Sequence, residues 1–376
     1  MIINIGYQND NFPNGFDKRC DWLKHDGIYH KIKLYEDYFD CQEVLVDDFE
    51  QFYFFPINGN NRDTRCLSEE YFFGQYLSNK VIKDLQNNSC VLHINWLDEP
   101  YIYDDTEIKR LNNFLYENDI SWDNVLFTSN NFSIDFDKHK SFNFAESSIE
   151  CDTHYLGFKI IDEDISDDKR HSIFLSLARS PHNHRKSLVK FFESYDDKDV
   201  MYSALWKNKR IDDRFHWPNV HNEEGMSHGD DNIDLSNFKQ DPYLNTYISI
   251  VTETNFDNKI LQVTDKVFKP IVNLQPFIYV SSYGGLQHIR DLGYHTFDFI
   301  DESYDLIEDE EERLRTIKNE VHRLINLGLN DIHDIYYGIM DVLRYNRKHW
   351  LSVGRYRVIK QMEVFYQNIR NKRTQS

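Results

Sequence analysis

The segment from Tyr247 to Pro270 constrains the fold of this chain more than any other. Its first part, Tyr247–Thr252, is an alternating apolar run that stops abruptly at Glu253. That pattern predicts a buried strand that reaches a site at its carboxyl end. Thr264 follows in the N-cap position of a short predicted helix, with Asp and Lys as the next two residues. A strand that leads into a capped helix predicts an α/β sheet with a ligand at its edge.

A second strand and a turn of small residues come next. Phe277–Val280 is continuously apolar, and Ser282, Gly284 and Gly285 stand just beyond it. Small residues let a backbone approach a ligand closely. Because the carboxyl ends of parallel strands meet at one edge of a sheet, these three residues are predicted to lie beside the same ligand as the capped helix.

Strand-like and helical runs alternate along the rest of the chain, which predicts mainly parallel sheets. The other predicted strands are Ile2–Tyr7, Gln42–Val46, Gln51–Pro56, Val91–Trp96, Asn124–Thr128, Ser172–Ala178, Val200–Leu205 and Thr296–Ile300. The other predicted helices are Tyr71–Leu85, Ile108–Tyr116, Asn183–Glu193 with Asn183 as its cap, Leu286–Leu292, Asp309–Leu327 and Ile332–Val342. Residues 207–241 lack periodicity and are predicted to form a long loop.

The chain of 376 residues is too long for one ordinary hydrophobic core, which predicts two domains. The acidic stretch Ile161–Asp168 is the best candidate for a connector between them. We predict an N-terminal domain over residues 1–165, a second domain over 166–343 and a basic terminal helix over 344–376. The expected architecture is two Rossmann-like α/β domains that face a central cleft, with the terminal helix crossing back to the first domain.

The net charge of −20 is unevenly distributed along the chain. From Arg344 onward there are nine Lys or Arg residues and one acid, Glu363, so this tail carries +8 and the remainder −28. An acidic body repels nucleic acid and anionic membranes unless one face is locally basic. The tail is either such a face, binding DNA or lipid, or a helix that lies on its own acidic body, and we favour the second interpretation.

Cysteine usage and the lengths of the apolar runs predict a cytoplasmic protein. The five cysteines form no CxxC pair, which favours free thiols in a reducing compartment. The apolar runs are far too short for a membrane span. Met1–Gly6 lacks the charged start and the cleavage site of a signal peptide, and it is predicted to be the first strand.

Basic residues near the predicted strand ends indicate an anion site. Arg179 directly follows Ser172–Ala178, and Arg185 lies in the helix predicted after it. Together with Lys266 and the amides of the helix starts, these side chains are suited to neutralise a diphosphate without a metal ion.

The sequence predicts no metal ion and no other cofactor. A loop cluster contains residues that could bind a metal, but its spacing matches no tight ligand pattern. These residues are His216, His221, His228, Asp230 and Asp231. The sequence also contains no P-loop, no GxGxxG and no Ser-His-Asp elbow.

The strand, the turn Thr264-Asp265-Lys266 and the second strand resemble, in this order, the donor-binding half of GT-B glycosyltransferases. The likeness is to fucosyltransferase-like sequences of viruses and bacteria. It covers about residues 172–327 and is specific mainly over 248–305. In that family the lysine of a Thr-Glu-Lys turn contacts the diphosphate and the acid contacts the ribose. The resemblance therefore implies Lys266 on the diphosphate and Asp265 on the ribose, and because Asp replaces Glu here, Glu253 is a second candidate for the ribose.

The resemblance implies a glycosyltransferase that moves a sugar from a nucleotide sugar to an acceptor hydroxyl. The N-terminal half lies outside the resemblance, and Asp98 and Glu99, after the predicted strand Val91–Trp96, are the candidates for the catalytic base. The aromatic and acidic composition favours a glycan acceptor over a protein or over a hydroxymethylated DNA base held by the basic tail. The Asn-, Asp- and Tyr-rich composition fits a phage or large virus. The alternative is a non-catalytic binding or virion-associated protein that retains the fold.

Overall fold

The chain forms two compact units, each containing a parallel sheet. The computed structural model describes residues 2–7, 40–58, 72–96, 105–129, 142–143, 169–178, 180–207, 241–258, 260–354 and 367. One unit comprises residues 1–149 with 357–376, and the other comprises residues 150–356. The parallel sheets confirm the predicted α/β class. The predicted domain boundaries and the facing cleft stay predictions.

The first unit contains, in its described part, six parallel strands in the order β2-β1-β3-β4-β5-β6. They are β1 Ile2–Tyr7, β2 Asp40–Leu45, β3 Tyr53–Asn58, β4 Cys90–Trp96, β5 Val125–Ser129 and β6 Phe142–Asn143. Helices α1 (Asn79–Gln86) and α2 (Asp105–Glu117) follow β3 and β4. Apolar side chains of β3, β4 and α1 form the centre of the core.

The start of α1 corrects the predicted helix Tyr71–Leu85. Phe73–Gln75 is a separate 3₁₀ turn, and α1 begins only after Ser78. The Ser78 hydroxyl accepts the Val81 amide at 3.3 Å, so a side chain caps the helix at this point. The apolar spacing extends across the turn, which is why periodicity alone predicted one longer helix.

Gly6 in β1 lies against a buried tyrosine ring, and its replacement by alanine is expected to destabilise the first unit. A Cβ at Gly6 would lie 2.3 Å from Cδ2 of Tyr53. Tyr53 is fully buried and donates its hydroxyl to Asp84 at 2.8 Å, so the ring cannot withdraw. We expect Gly6→Ala to lower the free energy of unfolding by about 1–3 kcal/mol in urea titrations. In Gly338→Ala the new Cβ meets no atom within 4 Å, and an unchanged or slightly raised stability of this helical control would isolate the steric effect.

The second unit contains four described strands in the order β10-β9-β7-β8, again all parallel. They are β7 Ser172–Ala178, β8 Val200–Ala204, β9 Thr246–Thr252 and β10 Phe277–Val280. The helices are α3 Asn183–Phe192, α4 Asp241–Leu244, α5 Asp265–Val272, α6 Gly285–Asp291, α7 Glu310–Gly338 and α8 Met340–His349. Every residue of β9 and β10 is buried, as their apolar sequences predict.

The long helix α7 begins after Asp309, whose side chain accepts the Glu312 amide at 2.8 Å. The backbone leaves the helical region once inside it, at Gly328, where φ is +82°. Glycine adopts such a conformation at little steric cost. The kink therefore separates two helical stretches, close to the predicted end of the first helix at Leu327.

Two further predictions about the second unit are wrong. Residues 296–300 form a turn rather than a strand, because the Glu302 carboxylate accepts the Phe297 amide at 3.2 Å and the Ile300 amide bonds back to the Phe297 carbonyl at 2.9 Å. These contacts occupy backbone groups that a paired strand would need. Asn183 is the first residue of α3 as predicted, but it does not cap the helix, because His182 occupies the N-cap position. The His182 side chain accepts no capping hydrogen bond.

Candidate functional site

The candidate site lies at the carboxyl ends of β7 and β9, which are neighbours in the middle of the second sheet. After β7 the chain continues through α3 to β8 on one side, and after β9 it continues through α5 to β10 on the other side. A sheet whose order reverses in this way leaves a crevice between the two strands, and ligands of open α/β sheets bind there. Both α3 and α5 begin at this edge.

Glu253 directly follows β9, and its carboxylate holds the start of α5. The side chain is completely buried (0% exposed). It accepts the Thr264 amide at 3.1 Å and the Thr264 hydroxyl at 2.8 Å. It also accepts the Tyr279 hydroxyl of β10 at 3.0 Å. Burial first, and the charge of Glu253 second, raise the pKa of Tyr279 well above its usual value, so this hydroxyl stays protonated and donates.

Lys266 completes this cluster at the first turn of α5. Its ammonium donates to Thr264 Oγ1 at 3.0 Å and lies 3.3 Å from Glu253 Oε2. Its side chain remains 32% exposed. Thr264 is the N-cap, and its hydroxyl oxygen accepts the Lys266 amide at 3.3 Å. The three predicted residues Glu253, Thr264 and Lys266 are therefore in contact, but it is Lys266 that reaches solvent.

Arg185 is a buried cation beside this cluster. It lies in the first turn of α3, is 4% exposed and donates from Nη2 to the Thr252 carbonyl oxygen at 2.8 Å. Its Nε and the hydroxyl of Thr252 are both buried and have no hydrogen-bond partner in the described structure. Burial lowers the pKa of Arg185, and the charge of Glu253 opposes this shift. Buried polar groups are normally satisfied, so these two unpaired groups indicate a place for a polar ligand.

His184 precedes Arg185 and lies against the same strand end. Its Nε2 is 2.9 Å from the Glu253 carbonyl oxygen. Burial lowers the pKa of His184 to about 4, and the nearby charge of Arg185 adds to the effect. The imidazole is therefore neutral at pH 7, and its Nε2–H donates to the carbonyl.

Buried neutral His184 makes the stability of the second unit depend on pH. Between the ordinary pKa of 6.5 and the folded value of about 4, the unfolded chain binds a proton that the folded chain does not bind. Stability therefore falls as pH falls through this window, by up to about 3 kcal/mol from this group. In His184→Gln, whose amide can donate to the same carbonyl, we expect a smaller loss in the free energy of unfolding between pH 7.5 and pH 4.5. Equal losses in both proteins would contradict the assignment of a buried neutral imidazole.

In the described turn after β10 the backbone amides are engaged within the protein, and one side-chain hydroxyl is not. The Asp305 carboxylate accepts the amides of Leu286 and Gln287 at 2.8 and 2.9 Å, so it caps α6 from outside. The Gly284 amide donates to the Asp305 carbonyl, and the Gly285 amide to the Ser282 carbonyl. By contrast, the Ser282 hydroxyl is buried and unpaired in the described structure.

The local structure favours glycine at both positions of this turn. Gly284 has a φ of +74°, which favours glycine. A Cβ on Gly285 would lie 1.9 Å from the Ser281 hydroxyl. The Asp305 carboxylate occupies the start of α6, where the small residues had predicted a ligand.

Several predicted residues lie outside the described structure. These are Arg179, Asp98, Glu99 and the histidine and aspartate residues of the long loop, and for Asp265 only the backbone is described. Within the described ranges, no group of three His, Cys, Asp or Glu side chains is arranged to hold a metal ion. None of the described helices is long and apolar enough to cross a membrane.

The sequence did not identify two residues at this edge of the sheet, Thr252 and His184. Thr252 has the pattern of the last residue of a strand, and it belongs to the site because its carbonyl accepts from Arg185 and its hydroxyl is buried without a partner in the described structure. His184 was passed over as part of a predicted helix, although its position beside Arg185 was a usable signal.

Comparisons with known proteins give little beyond this geometry. No protein-family model and no curated protein matches the chain. Two similar solved structures are α1,3-fucosyltransferases, one with GDP and one with GDP-fucose. Their sequence identities are 9% and 12% and their TM-scores 0.39 and 0.29; each similarity covers 89% of this chain and 81% of the other. Likenesses of this degree do not establish a shared activity.

Proposed function

We propose that the chain is a glycosyltransferase that takes a sugar from a nucleotide-diphosphate donor and transfers it to an acceptor hydroxyl. The observation that carries the proposal is the convergence of Arg185 and Lys266 at the switch point of the second sheet. Two cations at two helix starts, beside unpaired buried donors, suit the two phosphates of such a donor.

In this proposal the leaving diphosphate is stabilised without a metal ion. As the bond between the sugar and the phosphate oxygen breaks, negative charge grows on the diphosphate, and the guanidinium of Arg185 and the ammonium of Lys266 offset it. Glu253 and Thr264 hold the start of α5 so that Lys266 is in place beforehand. Asp265 is proposed to contact the ribose, and Arg179 and Ser282 to complete the diphosphate site, with Gly284 and Gly285 beside it.

The first unit is proposed to bind the acceptor. Asp98 or Glu99 is proposed as the base that takes the proton of the acceptor hydroxyl while that oxygen attacks the sugar carbon. A glycan is the favoured acceptor, with a protein or a hydroxymethylated DNA base as other candidates. The GT-B arrangement, the domain boundaries at 165 and 343, the basic terminal helix, a viral origin and a cytoplasmic location belong to the same proposal.

A thermal-shift screen tests the proposal directly. The full chain is heated with UDP-, GDP-, CMP- and dTDP-sugars in turn, and one of them is expected to raise the melting temperature. Slow release of free nucleotide from that donor would then show that the chain cleaves the sugar bond. Stabilisation without any release would favour the non-catalytic binding protein, and no stabilisation by any nucleotide sugar would refute the proposed donor site.

A further inference from the structure

A column of three stacked side chains runs through the second unit and ends next to Arg185. The guanidinium carbon of Arg313 lies 4.4 Å from the ring centroid of Phe256. On the other side, the Phe256 and His184 rings stack, with centroids 5.0 Å apart and planes 23° from parallel. All three side chains are buried, so the packing of the protein interior holds their contacts in place.

Arg313 anchors the column through neutral oxygens. Its Nη1 donates to Asn258 Oδ1 at 3.0 Å and to the carbonyls of Ile307 and Glu308 at 2.7 and 3.1 Å. Its Nη2 donates to the carbonyl of Phe256 itself. No carboxylate is among its hydrogen-bond partners in the described ranges. Burial lowers the pKa of Arg313, and the charges of nearby acids oppose this shift, so the cation is held in the interior by neutral oxygens at a desolvation cost.

The column joins three segments that meet at the site edge. Arg313 belongs to the first turns of α7, Phe256 to the loop between β9 and α5, and His184 to the first turn of α3. Asn258, bonded to Arg313, also accepts the amide of Tyr283 at 3.3 Å, which brings in the turn after β10. The loop after β9, the turn after β10 and the starts of α3 and α7 are therefore linked by these side chains.

The position of His184, at the end of the column, determines the position of Arg185 in the first turn of α3. His184 and Arg185 are consecutive residues of one helical turn, so a lateral shift of His184 shifts the backbone of Arg185 by a similar amount. The His184 ring is held by the flat face of Phe256 and by the carbonyl of Glu253. It is also held by the ring of His182, which stacks with it at a centroid distance of 5.9 Å. A misplacement of about 1 Å can cost about 100-fold in rate at a site that depends on the exact position of its groups.

We propose that Arg313, Phe256 and His184 are positioning residues that set Arg185 for diphosphate binding. This inference rests on the proposed function only for the identity of the anion. Its particular requirement is a flat ring at position 256: an aliphatic side chain fills similar space but leaves His184 free to tilt. Ordinary core packing makes no such distinction, since it depends on buried apolar volume.

Phe256→Leu and Phe277→Leu form a matched pair for the test. Phe277 is also buried and also contacts other rings, that of Phe297 at 5.3 Å and that of Tyr279 at 6.4 Å, but it stands at the start of β10, at the opposite end of the strand from the site edge. Each full-length variant is compared with the parent by calorimetric binding of inorganic pyrophosphate. Hydrogen exchange of the amides from Lys186 to Val189 in α3 is measured in parallel. Phe256→Met serves in place of Phe256→Leu if the latter does not fold.

We expect Phe256→Leu to bind pyrophosphate about tenfold or more weakly and to exchange the α3 amides faster, while Phe277→Leu changes neither. Both variants should lose thermal stability to a similar extent. Equal pyrophosphate affinity and equal exchange in the two variants would overturn the proposed positioning. If the parent protein binds no pyrophosphate and no nucleotide sugar, the proposed function fails, and faster α3 exchange in Phe256→Leu alone then decides whether the column positions this helix.

Discussion

Replacing Arg185 by methionine is expected to weaken nucleotide-sugar binding by at least about 100-fold without destabilising the fold. The loss of affinity follows from the removal of a desolvated cation that would bond directly to phosphate oxygens. The stability should not fall, because the buried guanidinium has lost its hydration and, in the described structure, makes one hydrogen bond, to the Thr252 carbonyl, while its Nε has no partner. An apolar side chain of similar length removes that penalty.

Calorimetric titration with the nucleotide sugar found in the screen, combined with urea unfolding of the unliganded protein, measures both effects. Lys190→Met is the control, because Lys190 carries the same charge in the last turn of α3 but is exposed. We expect this control to bind within about twofold of the parent, as surface charges are screened by salt. A stability loss of several kcal/mol in Arg185→Met, with affinity retained, would make Arg185 a structural residue and remove the main support for the proposed function.

The parts of the fold that depend on local pattern could be predicted from the sequence. The strands Ser172–Ala178 and Phe277–Val280 have the predicted bounds, because each is a mainly apolar run that ends where polar residues follow. Turns closed by a distant side chain could not be predicted in this way. Residues 296–300 have the apolar content of a strand, and only the carboxylate of Glu302 makes them a turn.

The residues of the candidate site show the same contrast between positions that local pattern predicts and positions that depend on distant contacts. Residues at strand ends and helix starts, such as Lys266 and Arg185, could be found because topology alone brings these positions together. Arg313 could not, since it stands in an acidic helical turn and its partner Asn258 is 55 residues away. The structural role of Glu253 could not be predicted either, because local sequence does not show that donors of the same chain bind its carboxylate.

Glu253→Gln is expected to lower the free energy of unfolding of the second unit by about 3–5 kcal/mol, the range found when one member of a buried ionic network is removed. The glutamine has the same shape, but its amide group can accept through one atom only. It must therefore place two N–H donors against the hydroxyl of Tyr279, the amide of Thr264 or the ammonium of Lys266, all of which donate to the carboxylate. The start of α5 and Lys266 should then be displaced, and nucleotide-sugar affinity should fall with stability.

Urea unfolding and calorimetric binding of this variant also distinguish two roles for Glu253. The control is Glu193→Gln, which removes an exposed carboxylate 2.6 Å from the Lys207 ammonium and should cost less than about 1 kcal/mol. A large loss of stability in Glu253→Gln supports the role of a buried bracket between β9, β10 and α5. A loss as small as that of the control, together with a 100-fold or greater fall in affinity, would mean instead that the carboxylate turns toward the ligand. The ribose contact would then belong to Glu253 and not to Asp265.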